Sequence, residues 1–238
     1  MANIPLQAAK IGMTASTVQP LVQSFPPVRG ASTDGEAGVT GSNDATGYGV
    51  MGSSKGQAGV AGFHVSGGNA VYGKSTGNAG CFDGNVQVNG NITVTGDLYL
   101  PGADCAEQFH VGGDNFIEPG TVVVFDGDGA LRESGEAYDR KVAGVVAGAG
   151  EYRPGIVLDK YAGDSATRAA VSLIGKVYCK VDAGYAPIEA GDMLTSSPTQ
   201  GHAMKAIDHG RAFGAVVGKA LRPLDSGRGL IPILITLQ

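Results

Sequence analysis

Few residues in this chain have types and spacing that could do chemistry, and the sharpest pattern is a phosphate loop. Gly68-Asn69-Ala70-Val71-Tyr72-Gly73-Lys74-Ser75 fits G-x4-G-K-S. That pattern cradles phosphates when a strand precedes it and a helix follows, because the helix N-terminal amides hold the anion. Here Thr76-Gly77-Asn78-Ala79-Gly80 follows and breaks a helix, so the match is read as part of a glycine repeat and not as a nucleotide site. His64, His110, His202 and His209 lack zinc-ligand spacing, and surface or core roles are expected of them. Asp126 and Asp128 lie in an Asp-Gly-Asp-Gly turn that could hold a cation, but solvated turn residues are the simpler reading. There is no G-x-S-x-G nucleophile elbow. The carboxylates are scattered without the paired constellation of a glycoside hydrolase, although a fold could still assemble one. Cys81, Cys105 and Cys179 are odd in number and lack metal or redox spacing, so they read as buried or tolerated thiols. No cofactor and no metal are expected.

The elements that would position such residues are dominated by a glycine ladder. Its rungs are Gly38-Val39-Thr40-Gly41, Gly49-Val50-Met51-Gly52, Gly59-Val60-Ala61-Gly62, Ala70-Val71-Tyr72-Gly73 and Gly80-Cys81-Phe82-Asp83-Gly84, with starts 11, 10, 11 and 10 residues apart. A six-residue beat follows, in which Val86, Val88, Ile92, Val94, Leu98 and Leu100 alternate with polar positions between Gly84, Gly90, Gly96 and Gly102. A fixed period marks a repetitive architecture, and alternation of period two gives each segment one apolar face. Such short segments cannot bury both their edges and their aliphatic face in one chain. Three identical chains wound about a common axis would close the core. We therefore expect a triple-stranded β-helix-like shaft over residues 31–102, with those six aliphatics as its trimer core.

Bulk composition agrees. Glycine is 40 of 238 residues, well above the usual level of about 7%, and 19 of the 40 fall between Gly30 and Gly102. Hydrophobic content of 42% allows a true core, which the absence of Trp leaves to Val, Ile, Leu and Ala. Net charge is −5 with no Lys/Arg cluster, so no nucleic-acid footprint is present. No apolar run approaches the roughly 18 residues of a membrane span, and the N-terminal residues do not read as a secretory signal. Residues 1–30 carry Pro5, Pro20, Pro26 and Pro27 among scattered apolar side chains. They are read either as a disordered tail or as an extended attachment segment that orders on a partner.

Residues 103–238 read as an all-β globular domain, a compact barrel or sandwich. Strands are expected at 121–125, 142–147, 155–158, 170–181, 203–207, 212–221 and 230–237, with no amphipathic helix between them. The domain also reads as internally duplicated. Glu118-Pro119-Gly120-Thr121-Val122-Val123 precedes Gly144-Val145-Val146 much as Glu189-Ala190-Gly191-Asp192-Met193-Leu194 precedes Gly214-Ala215-Val216-Val217-Gly218.

The junction Asp104-Cys105-Ala106-Glu107-Gln108-Phe109 resembles the D-Y-A-E-x-F stretch that follows glycine-rich β repeats in phage tail fibres and neck appendages. In those proteins it opens a C-terminal intramolecular chaperone that can cleave itself off. Glu118-Pro119-Gly120-Thr121-Val122-Val123-Val124, Asp139-Arg140-Lys141-Val142-Ala143-Gly144-Val145-Val146 and Gly175-Lys176-Val177 resemble that domain too, and they also resemble C-terminal domains of bacterial proteins with G-V-x-G repeats. The resemblance implies a homotrimeric structural and binding component of a phage or phage-like particle. Its N-terminal segment would meet other virion proteins, and its distal head would hold the trimer and touch a host surface glycan or protein. It places Asp104, Cys105, Ala106, Glu107 and Phe109 at the chaperone-like junction. Cys105 stands where the family has an aromatic, and no Ser precedes Asp104 closer than Ser75. Self-cleavage in that family uses a Ser at the scissile bond or an acidic pair; the missing Ser argues against it, and Asp104 and Glu107 are left as the possible acidic players. The alternatives are an autoproteolytic chaperone, a glycan-degrading tailspike, or a bacterial surface filament protein of the same fold.

Overall fold

The computed structural model describes residues 37, 39–56, 58–113, 116–160 and 167–235. The attachment segment expected at residues 1–30 lies outside them. The chain divides into two units, Met1–Gln87 and Val88–Gln238.

In the first unit every described residue is exposed, and none lies in a helix or a strand ladder. The backbone nonetheless repeats a contact. The last glycine of one rung sits against a carbonyl at or just before the start of the next. A Cβ on Gly62 would meet the Ala70 carbonyl oxygen at 2.5 Å, and one on Gly73 the Ala79 oxygen at 2.9 Å. Gly41 against Gly49 and Gly52 against Gly59 repeat the arrangement. The glycines that close the first four rungs, Gly41, Gly52, Gly62 and Gly73, are therefore ones whose side chain would collide with the following stretch of chain, whereas a Cβ on Gly84 would meet nothing within 4 Å.

Among the described residues, the second unit holds ten strands and one short helix. The strands are β1 (Asp104–His110), β2 (Val122–Phe125), β3 (Leu131–Glu133), β4 (Val142–Val146), β5 (Pro154–Leu158), β6 (Arg168–Asp182), β7 (Met193–Ser196), β8 (Ala203–Lys205), β9 (Val216–Ala220) and β10 (Arg228–Ile235). The helix α1 (His209–Ala212) sits between β8 and β9. Strand β6 is 15 residues long and serves both halves. Its odd positions Ala169, Val171, Val177, Cys179 and Val181 are buried, the period-two pattern of a strand with one face inward.

The C-terminal half of β6 pairs with β10, β10 with β9, β9 with β7, β7 with β8, and β8 returns to β6 through Val181 and Ala203. This ring is a small closed barrel, which removes sheet edges. The N-terminal half of β6 pairs with β1 and β4, β4 with β2, and β2 with β3. A bridge from Val111 to Leu131 joins the end of β1 to β3. One core gathers Val177, Cys179, Val181, Leu194, Val217 and Ile233. A second gathers Val111, Ile117, Val123, Leu131, Val146 and Val171.

The two halves share detailed bonding. The Gly120 N–H donates to the Val146 carbonyl (2.8 Å), and the Val146 N–H donates to the Thr121 carbonyl (2.9 Å). The Gly191 N–H donates to the Ala220 carbonyl (2.8 Å), and the Ala220 N–H to the Asp192 carbonyl (2.9 Å). Gly120 and Gly191 both have positive φ, +87° and +94°, which a side chain would strain.

The all-β reading holds, with one correction inside it. The strand expected at 212–221 is split: α1 occupies its start, and β9 begins only at Val216. Asp208 is the reason, because its carboxylate accepts from the Gly210 and Arg211 amides and caps a helical turn. Gly214, with φ +79°, then turns the chain into β9.

Candidate functional site

Two places were singled out in the sequence: the aliphatic row before residue 102 and the junction just after it. Glycines at the six-residue beat keep the row's segments short, and a single chain gives them no ladder partner. None of residues 84–102 is in a strand. All six aliphatics are exposed, from Ile92 at 72% to Leu100 at 41%. Leu100 also lines a cavity of 210 Å³ with Ile156 of β5 and Ile174 of β6, both themselves exposed. Among the described residues strand β5 pairs only with β1, which leaves its other edge without a strand partner there. Exposed aliphatics of this number are unusual on a monomer and mark a surface made to be covered.

At the junction, Asp104 opens β1 and is only 7% exposed. Neither of its carboxylate oxygens has a hydrogen-bond partner among the described residues, and nor does the hydroxyl of Ser172. Burial pushes the Asp104 carboxyl above its usual range, and the nearby Ser172 hydroxyl pulls it partly back. The two groups are close without a well-directed bond. Cys105 is a free, half-buried thiol. Ala106 is fully buried. Phe109 packs edge-on against Phe125, with ring centroids 5.7 Å apart. Glu107 lies three residues from Asp104, so strand alternation puts the two carboxylates on opposite faces. Glu107 lines a polar cleft with His110, Asp159 and Arg168. The Arg168 guanidinium donates there to the Asp159 carboxylate and to the Gln108 carbonyl (2.7 Å). The structure thus separates the two acids and does not form a carboxylate pair from them.

The remaining motifs have local roles. No helix follows the Gly68–Ser75 match; residues 76–80 are irregular and exposed. The His64 Nδ1 accepts from the Ser66 and Gly68 amides (3.2 and 2.9 Å) and braces a turn. The Asp126 carboxylate accepts from the Asp128 and Ala130 amides (2.9 Å each), which ties the acidic turn into the β2–β3 hairpin. Among the described residues no group of three or more His, Cys, Asp or Glu could hold a metal. No helix among them is long and apolar enough to cross a membrane.

Sequence reasoning missed a larger cavity of 640 Å³ beside β3, lined by Phe116, Leu131, Arg132, Glu133, Ser134 and Gln200 among others. Those residues come from three separate stretches of chain. The one signal for it was an Arg-Glu-Ser run in a segment too polar to read as a strand.

No family model matches the chain, and no curated protein matches it. The solved structures similar to it include two of one phage protein. One is the pre-mature bacteriophage phi29 gene product 12, with TM-score 0.45 and 17% identity, covering 63% of this chain and 24% of that one. The chain thus spans about a quarter of that protein's length. The other is the C-terminal fragment of the bacteriophage phi29 gene product 12, with TM-score 0.37 and 18% identity, covering 56% of this chain and all of that one.

Proposed function

We propose that this chain is a structural and binding component of a phage or phage-like particle: a homotrimeric fibre or spike, placed in the virion. Residues 1–30 attach it to other virion proteins. Residues 31–102 form a triple-stranded β-helix-like shaft, and residues 103–238 form the head that holds the trimer and contacts a host surface. The observation that carries this reading is the row Val86, Val88, Ile92, Val94, Leu98 and Leu100, exposed and without ladder partners in a single chain. Covering it with two further copies satisfies both the aliphatic face and the open backbone edges at once. The exposed Ile156 and Ile174 beside Leu100 continue the same surface into the head.

In this reading the head is an internally duplicated pair of small β units. The matched bonds of Gly120–Val146–Thr121 and Gly191–Ala220–Asp192 support that duplication. The autoproteolytic alternative receives less support, because Asp104 and Glu107 face opposite sides of β1. The experiment is direct. Replacing Val88, Ile92 and Val94 together with Asp should abolish the trimer, read by sedimentation velocity. A triple variant that still sediments as a trimer would sink the shaft assignment.

A further inference from the structure

Strand β5 carries an aliphatic edge that nothing in the chain guards. Pro154 and a register irregularity at Gly155 blunt its start, and Asp159 and Lys160 follow its end. Between them Ile156-Val157-Leu158 has no charge, proline or bulge, the devices that keep an open edge from pairing with another chain. Among the described residues that edge has no strand partner. Ile156 and Leu158 alternate onto one face and are 41% and 46% exposed. Cys105 pairs with Ile156 on one side and with Ile174 on the other. The three form a row across the sheet, and Ile174 is 65% exposed.

Leu98-Tyr99-Leu100 is a segment of the same length and character. It is uncharged, its leucines alternate onto one face, and it lies in no strand ladder of its own chain. Its own β5 is within reach and still does not pair with it. Gly102 packs so closely on β5 that a Cβ there would lie 2.1 Å from the Gly155 Cα, and Leu100 lines one cavity with Ile156 and Ile174. Two β5 edges that paired with each other would make an isologous contact, which closes as a two-fold dimer and leaves Leu98–Leu100 bare. A three-fold ring needs a heterologous contact, in which two different patches meet. The β5 edge and Leu98–Leu100 are two such patches on every chain. We infer that β5 of one copy takes Leu98–Leu100 of the next copy as an added strand. The pairing lays Leu98 and Leu100 beside Ile156 and Leu158 and extends the row of Cys105 and Ile174. This inference rests on the trimeric reading and adds to it the contact that closes the ring where the repeats meet the head.

Tyr99 and Val157 are the middle residues of the two segments, so they oppose each other whether the strands run parallel or antiparallel. Paired strands hold opposed Cα atoms about 5 Å apart, a distance that a disulfide spans. The test is a chain carrying Tyr99→Cys and Val157→Cys, with Cys81→Ser and Cys105→Ser to remove the accessible native thiols and the buried Cys179 left in place. After air oxidation with copper–phenanthroline, a non-reducing denaturing gel should show three linked chains that return to one on reduction. Neither new cysteine alone should link any. A one-chain band with both thiols consumed would mean that β5 pairs with its own segment, and a two-chain band from Val157→Cys alone would mean an isologous edge. Either overturns the inference. Light scattering on the reduced variant separates it from the reading beneath it: a trimer whose thiols stay free discards the added strand and keeps the fibre, and a monomer discards both. Hydrogen exchange on the wild-type chain guards against a variant that fails to fold. All three amides of Ile156, Val157 and Leu158 should be protected, because the added strand bonds those that point away from β1. Rapid exchange of the outward-pointing amides in a trimeric wild type overturns the inference.

Discussion

At the scale of single residues, the head contains two aspartates with opposite electrostatic consequences. Asp104 is buried without a hydrogen bond, and burial raises its pKa. A carboxyl raised in the folded state is neutral in both states at low pH, where it contributes nothing. It then costs stability as pH rises through the unfolded value toward the folded one. Asp104→Asn should therefore raise the melting temperature at pH 7, with the gain vanishing below about pH 4, near the ordinary Asp value. A variant less stable than wild type at pH 7 would mean that the charged carboxylate has a partner after all. Asp182 is the reverse case. The Thr199 hydroxyl donates to it at 2.7 Å, the Gly184 amide at 2.8 Å and the Arg228 guanidinium at 3.3 Å, and the Thr199 bond is the first cause of its lowered pKa. Its contribution is present above the unfolded pKa and is lost as pH falls through the folded one. Asp182→Asn should cost about 1–3 kcal/mol at neutral pH, the penalty for breaking a buried bonded network, and the deficit should shrink in acid denaturation series run at lower pH. Cys179 is fully buried, and desolvation pushes its thiol up to about 12. It should resist iodoacetamide in the native protein and react only on unfolding.

At the scale of elements, the sequence was most legible where β-branched residues run together. Strands β2, β4, β5, β6 and β10 fall within two residues of the expected positions, because Val and Ile runs bounded by glycine carry both the strand propensity and its limits. Strands β3 and β7 were not legible. Leu131-Arg132-Glu133 shows one apolar residue, and its place is fixed by hairpin pairing to β2 across the Asp126 turn. In β7 the buried positions include Thr195 and Ser196. Thr195 donates to the Ala215 carbonyl at 2.7 Å, and Ser196 accepts from the Asp139 amide at 2.8 Å, so hydrogen bonds allow polar groups inside and hide the strand from hydropathy. The Asp104–Phe109 junction was legible as a motif and not as a strand, since only its pairing to β5 and β6 makes it one. The glycine rungs make their own prediction. A side chain at Gly62 would strike the Ala70 carbonyl and Val71. Gly62→Val should destabilise the repeat region by about 1–3 kcal/mol per chain, a typical overpacking cost. Calorimetry should show a lowered transition for the repeats with the head transition unmoved; an unchanged pair of transitions would mean the rungs do not pack as described.

At the scale of the whole molecule, the head is a self-sufficient core and the repeat region is not. Residues 104–235 close their strands into rings with two buried clusters, whereas every described residue from Val39 to Pro101 is exposed. The periodicity of that region was plain in the sequence, but in the proposed reading its cover is missing from any single chain, because other copies would supply it. That is why the repeats could be read and their structure could not. The proposed function depends on assembly, and the mass of the chain in solution tests it most directly. Light scattering after size exclusion should give about 72 kDa, three times the 23.9 kDa chain. A clean monomer of 23.9 kDa would contradict the trimeric shaft and leave the exposed row without its proposed cover.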